Sequence, residues 1–169
     1  EAAAIVDRMD SDEQTDILGE LEAQDAEAIL DRMEPTESHD ARRRLEYETY
    51  TAGGLMITEY LAYQQNQDVD YVIRDLRDHA ASRGEFDVRY LYVVDDIGRL
   101  TGLVPMRRLV MAPRGRLLMD LRTEELIKVR VDAPLDNLED LFDRVDYSAV
   151  PAIDEQDRLV GVVERAAVQ

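Results

Sequence analysis

The chain has 169 residues, 45% of them apolar, with 38 acidic side chains against 20 basic ones and a formal charge of −18. That length and apolar content exclude a disordered chain and leave room for one or two packed domains. The charge repels phosphate backbones and excludes a nucleic-acid binder, while the absence of cysteine excludes disulfides and thiolate metal sites.

Residues 1–50 hold 16 of the acids and 5 of the bases, and are expected to be helical. The string AAAIVDRMDSDEQ at 2–14 returns as EAILDRMEPTES at 27–38, aligning Ile5 with Ile29, Arg8 with Arg32 and Met9 with Met33. This period of 24 residues, with apolar spacings near three and four, predicts stacked short helices of the α-solenoid kind. Ser11 and Thr36 are the candidate N-caps, and Glu-Pro-Thr-Glu at 34–37 reads as a helix stop followed by a start. Two repeats are too few to stand alone, so a fragment of a longer protein is expected.

At TAGGLM, residues 51–56, Gly53-Gly54 breaks the helical periodicity and strand signals follow. Beyond it the chain repeats itself. VVDDIGRLTGLV at 93–104 matches AIDEQDRLVGVV at 152–163, pairing Asp95 with Asp154, Arg99 with Arg158 and Gly102 with Gly161. Upstream, VDYVIRDL at 69–76 matches LDNLEDLF at 135–142, and the change of offset places a local insertion at 82–88 in the first copy. Each copy is expected to run short helix, strand, amphipathic helix, then two strands joined by an acidic turn, with a closing helix. The fold class is therefore α+β, divided at 1–50, 51–112 and 113–169.

Hairpin chemistry explains the acidic turns: Asp and Gly supply the backbone angles, and Arg99 and Arg158 neutralise the acids. Gly102 and Gly161 lie inside strands, where a missing side chain admits another backbone or a ligand. The glycine spacing is not that of a dinucleotide-binding loop. His39 and His79 stand without a nucleophile or metal-ligand spacing, Tyr60, Tyr63, Tyr71, Tyr90 and Tyr92 read as packing residues, and no enzyme is expected. The acidity itself has two readings, a solvated surface or a surface that attracts hard divalent cations.

The tandem hairpins D-x-x-x-R-L-x-G, with Pro151 before the second, resemble a CBS-domain pair, the Bateman module that dimerises through its CBS domains. With the acidic helical repeat before it, TAGGLM at the junction resembles the cytosolic part of MgtE-type Mg²⁺ channels. That resemblance implies a truncated N-terminal helical domain, a CBS pair, a homodimer, and a C-terminal transmembrane domain of the same chain beyond the present sequence. It implies a Mg²⁺-sensing regulatory region on the cytoplasmic face of the cell membrane, with Mg²⁺ as regulatory ligand. Matched residue by residue, the family's metal acids fall on Asp136 and Asp146. Asp143 falls where the family contributes a backbone oxygen. Glu34, Glu37 and Asp40 are weaker candidates on the helical side, and acids of the family's final helix meet Ala166 and Ala167 instead. The alternative is a nucleotide-sensing CBS module of another enzyme or transporter. The family's hydroxyl and ribose-binding acid, however, meet Pro105 and Arg108 in one copy and Glu164 and Ala167 in the other.

Overall fold

The computed structural model describes residues 1–83, 86 and 88–169. Two compact units emerge, one of Glu1–Thr58, Val129–Ala152 and Val162–Gln169, the other of Glu59–Lys128 and Ile153–Gly161. Among the described residues no helix is long and apolar enough to cross a membrane.

The first unit opens with α1 (Ala2–Val6), α2 (Ser11–Glu20), α3 (Ala23–Leu30) and α4 (Pro35–Leu45). These are two helical hairpins, one per sequence repeat, and their core is Ala3, Val6, Leu18, Ala26, Leu30, Met33 and Ala41. Within the repeat it is Val6 and Leu30 that are buried, whereas Ile5 is 57% exposed. The expected caps lie slightly out of place. Asp10 holds the N-cap of α2, and Ser11 uses its hydroxyl to accept the Thr58 N–H at 2.9 Å. Glu34 holds the N-cap of α4 with Pro35 at the first helical position, where its missing N–H costs nothing. Thr36 therefore lies inside the helix.

TAGGLM becomes α5 (Ala52–Leu55), whose first turn is closed by the Thr51 hydroxyl accepting the Gly54 N–H. The Ala52 and Gly53 N–H groups, unpaired within so short a helix, donate to the Ala133 and Val131 carbonyls at 2.9 and 2.8 Å.

The second unit holds β1 (Ala62–Gln64), α6 (Val69–Asp78), β2 (Tyr90–Val94), β3 (Leu100–Pro105), α7 (Met106–Met111) and α8 (Leu118–Leu121). β1 pairs parallel with β2, which pairs antiparallel with β3. α6 starts where Asp68 accepts the Tyr71 N–H at 2.8 Å, and it buries Val69 and Val72 against Leu91, Val93 and Val104. The Tyr63 hydroxyl donates to Asp75 at 2.5 Å, and Arg83 bonds both at 2.9 Å. Burial first, and then the Asp75 bond, pushes the Tyr63 hydroxyl up to about 12, while the bond from Tyr63 holds Asp75 below the usual carboxylate range. Of the insertion expected at 82–88, residues 84, 85 and 87 lie outside the described residues.

The second copy follows as β4 (Val129–Arg130), α9 (Leu135–Arg144), β5 (Ala149–Ile153), β6 (Leu159–Glu164) and α10 (Arg165–Val168), with sheet order β4-β5-β6. Both hairpin turns are built alike. Asp95 accepts the N–H groups of Ile97 and Arg99 and the Arg99 guanidinium at 2.7 Å; Asp154 does the same for Gln156, Arg158 and the Arg158 guanidinium at 2.8 Å. Partial burial raises both carboxyls, but these donors outweigh it and hold them below their ordinary range. The two tips pair: the Leu100 N–H reaches the Asp157 carbonyl, and the Leu159 N–H the Gly98 carbonyl, each at 3.0 Å.

Gly98 has φ +86° and its repeat partner Asp157 has φ +62°. Only the second carries a Cβ that this region disfavours. Asp157→Gly is therefore expected to stabilise the chain by roughly 0.5 kcal/mol, while Asp157→Val is expected to cost about 1–2 kcal/mol, both read from urea melts.

Candidate functional site

The acids singled out in the sequence collect on the first unit. α9 buries Leu138 and Phe142, so its 3.6-residue period turns Asp136, Glu139, Asp140 and Asp143 to solvent. Asp136 sits in the first turn, where the helix macrodipole favours a carboxylate. Asp143 accepts the Gln169 side-chain amide at 2.7 Å, and Asp146 lies exposed just beyond the helix end. On the helical hairpins Glu34 and Glu37 are exposed at the start of α4, and Asp40 is half-buried one turn further on.

These carboxylates do not converge. Among the described residues no group of three His, Asp or Glu side chains stands ready to hold a metal ion. What the chain presents is a set of single, solvent-facing carboxylates. Such groups suit Mg²⁺, which keeps most of its water and needs one or two carboxylates per site.

Two acids passed over in the sequence also bear on charge. Asp16 and Glu20, one turn apart on α2, line a recess of about 320 Å³ with Tyr47, Thr49 and Gly54. Partial burial, and then the charges of Asp12 and Glu20, raise the Asp16 carboxyl. Repulsion of this kind is what a bound cation relieves. The signal was present as D-x-x-x-D-x-x-x-E at 12–20, a spacing that stacks charges on one helix face.

Arg165 was also missed. Its guanidinium binds three main-chain carbonyls at the end of α9 and lies 5.1 Å from the Phe142 ring centre. A lone arginine following a strand carries no sequence signal for that role.

In the second unit Pro105 holds the N-cap of α7. Arg108, at the position of the family's ribose-binding acid, turns its guanidinium to the Leu121 carbonyl and the Thr123 hydroxyl, both at 2.9 Å. A recess of about 540 Å³ beside it is lined by Arg107, Arg108 and Arg116 together with Met111 and Leu121. Gly102 does admit a backbone: a Cβ there would stand 2.8 Å from the Thr123 carbonyl oxygen.

Comparison with known proteins places this geometry among relatives. The model of the MgtE intracellular N domain matches residues 1–50, and that of the CBS domain matches residues 52–115 and 118–168. The magnesium transporter MgtE of Thermus thermophilus is 38% identical over 131 residues, 73% of this chain and 28% of that protein. The magnesium transporter MgtE of Bacillus subtilis is 26% identical over 162 residues, 96% of this chain and 36% of that protein. The chain thus spans roughly a third of the length of these curated relatives. Among solved structures, the cytosolic domain of the Mg²⁺ channel MgtE in complex with ATP superposes with a TM-score of 0.89 at 28% identity, covering 99% of this chain and 68% of that one. The soluble part of a magnesium transporter does so with a TM-score of 0.88 at 28% identity, covering 98% and 64%.

Proposed function

The chain belongs to the CBS-domain family, as a CBS pair behind an MgtE intracellular N domain homologous to MgtE cytosolic domains, and from that premise we propose that it is the Mg²⁺-sensing regulatory region of an MgtE-like magnesium channel. The observation that carries the reading is the set of solvent-facing carboxylates on α9 and α4 of the first unit. On this reading Asp136, Asp143 and Asp146 are the principal ligands, with Glu34, Glu37 and Asp40 contributing from the helical side. Residues 1–50 are the N domain, 51–112 the first CBS domain and 113–169 the second. The CBS domains pair two copies, a transmembrane domain of the same chain follows, and the whole region lies at the cytoplasmic face of the membrane. It performs no catalysis.

The mechanism is a shift between a compact and a loose arrangement. Carboxylates facing one another across an interface repel by about 1 kcal/mol per pair at 4 Å in water, and a divalent ion between them reverses the sign. Mg²⁺ moves the balance only by binding the compact arrangement more tightly. At ten times its dissociation constant one ion adds about 1.4 kcal/mol, which raises the melting temperature of a chain this size by roughly 3–6 °C. Magnesium chloride at millimolar concentration is expected to produce that rise, with a smaller scattering radius, beyond what potassium chloride of equal ionic strength produces. Asp136→Asn combined with Asp146→Asn is expected to remove most of it. An equal response to both salts would sink the reading.

A second reading, a nucleotide-sensing CBS module, draws on the arginine-lined recess beside α7. The same melt with AMP or ATP in place of Mg²⁺ separates the two. A rise with nucleotide alone favours the second.

A further inference from the structure

The end of α9 is a cluster of oxygen atoms closed around a positive charge. Beyond Arg144 the chain turns so that the carbonyls of Phe142, Val145 and Tyr147 meet at one point. The Arg165 guanidinium occupies it. Its Nε donates to the Tyr147 carbonyl at 2.9 Å, one Nη to the Phe142 carbonyl at 2.8 Å, and the other Nη to the Val145 carbonyl. The arginine is itself fixed, because its N–H donates to the Ser148 carbonyl at 2.8 Å and its side chain lies over the Phe142 ring.

One carboxylate is tied to this point and a second adjoins it in the chain. Asp146 follows Val145 and precedes Tyr147, the two residues on either side of it in sequence whose carbonyls accept from the guanidinium. Asp143 is linked to it through Gln169, whose amide oxygen accepts from Arg165 at 3.1 Å and whose amide nitrogen donates to Asp143 at 2.7 Å. Carbonyls of the last helical turn, its cap and the segment just beyond, with a carboxylate linked to them, are a donor set for a hard cation. Here the cation is part of the chain.

We propose that Arg165 is a tethered counter-cation filling an oxygen cage at the end of α9, and an internal competitor for divalent ions at Asp143 and Asp146. It holds α10 against α9 without metal. Through Gln169 it also ties a fixed positive charge to Asp143, three residues before Asp146, and so raises the ion concentration at which they load. This second half rests on the Mg²⁺-sensing reading; the filled cage does not.

The test is thermal unfolding of the 169-residue chain at constant ionic strength, titrated with MgCl₂ or CaCl₂, for the wild type, Arg165→Ala and Arg165→Gln. Without divalent ions both variants are expected to melt several degrees lower. Either ion is expected to restore at least half of that loss, Ca²⁺ at lower concentration because flexible carbonyl cages suit it. The half-maximal Mg²⁺ concentration should fall about fivefold or more relative to the wild type, as removal of a neighbouring charge requires. Adding Asp143→Asn and Asp146→Asn to Arg165→Ala should abolish the recovery. If Arg165→Ala does not fold without ions, refolding on their addition is the same positive result. If neither variant recovers, or both respond at wild-type concentrations, Arg165 is a helix-end tie and no competitor. A variant that responds while the wild type does not upholds the cage and overturns Mg²⁺ sensing; a wild type that responds beside unchanged variants does the reverse.

Discussion

Gly54→Ala is expected to lower stability by about 3 kcal/mol or more. A Cβ at Gly54 would stand 2.7 Å from the Thr49 carbonyl oxygen and 2.9 Å from its carbonyl carbon, and closer still to the Glu48 carbonyl oxygen. All three atoms are backbone, so no rotamer change makes room. Relief requires moving either 48–49 or α5, and α5 is held by the Ala52 and Gly53 N–H bonds to the Ala133 and Val131 carbonyls. Gly53→Ala meets the Tyr47 ring instead, at 2.7 Å from Cδ1. Ring rotation relieves that contact but not the one with the Tyr47 Cβ at 2.9 Å, so a cost of roughly 2 kcal/mol, below that at Gly54, is expected. Gly19 has open space around its Cβ position and lies within α2, so Gly19→Ala serves as a control that should be neutral or gain about 0.5–1 kcal/mol. Urea melts of the three variants check the order. A Gly54→Ala protein as stable as the Gly19→Ala protein would show that the junction does not need its glycines.

The contrast between those glycines and their surroundings shows what the sequence could disclose. AGGLM announced a junction because two adjacent glycines inside a helical pattern are costly unless something approaches closely. What approaches, the 47–49 segment, was not readable, since nothing in Tyr47-Glu48-Thr49 marks it as a neighbour. The CBS repeat was legible for a different reason. Its hairpin chemistry is local: Asp95 with Arg99, and Asp154 with Arg158, lie four residues apart and close their turns without help from elsewhere. The amphipathic helices α6 and α9 follow equally from a local period. Caps were less secure, because Ser11 satisfies a distant N–H at Thr58 in preference to its own helix. The α9 period turns Asp136, Glu139, Asp140 and Asp143 to one exposed face, whereas what faces such a helix is a long-range fact that no spacing encodes. Arg44 and Arg165 mark the limit: arginine in sequence reads as a solvated surface charge, and both are structural centres here.

Arg44→Ala is the second large effect, an expected loss of about 3–5 kcal/mol. The residue falls within Arg42-Arg43-Arg44, three bases in the last turn of α4, where the macrodipole alone explains them. Only the third is buried, at 3% exposure. Its guanidinium donates to the Gln14 side-chain oxygen at 2.7 Å, to the Thr58 hydroxyl at 3.2 Å and to the Thr15 hydroxyl at 3.4 Å. Gln14, 1% exposed, passes the connection on through its amide nitrogen to the Val6 and Met9 carbonyls at 2.9 and 3.3 Å. One network thus ties the end of α1, the start of α2, the end of α4 and the segment leaving TAGGLM. Truncation to alanine strands the Gln14 oxygen in the interior and opens a cavity beside it. Arg44→Met refills most of the volume but leaves the oxygen unpaired, so it is expected to recover about 1–2 kcal/mol of the loss. Arg42→Ala removes a surface arginine paired with Glu27 and Asp31 and should cost less than about 1 kcal/mol. Equal melting points for Arg42→Ala and Arg44→Ala would refute a structural role for the network. If instead Arg44→Met matches the wild type, volume rather than hydrogen bonding holds the four segments together. The intermediate result would mean that the helical hairpins stay docked through a buried charge.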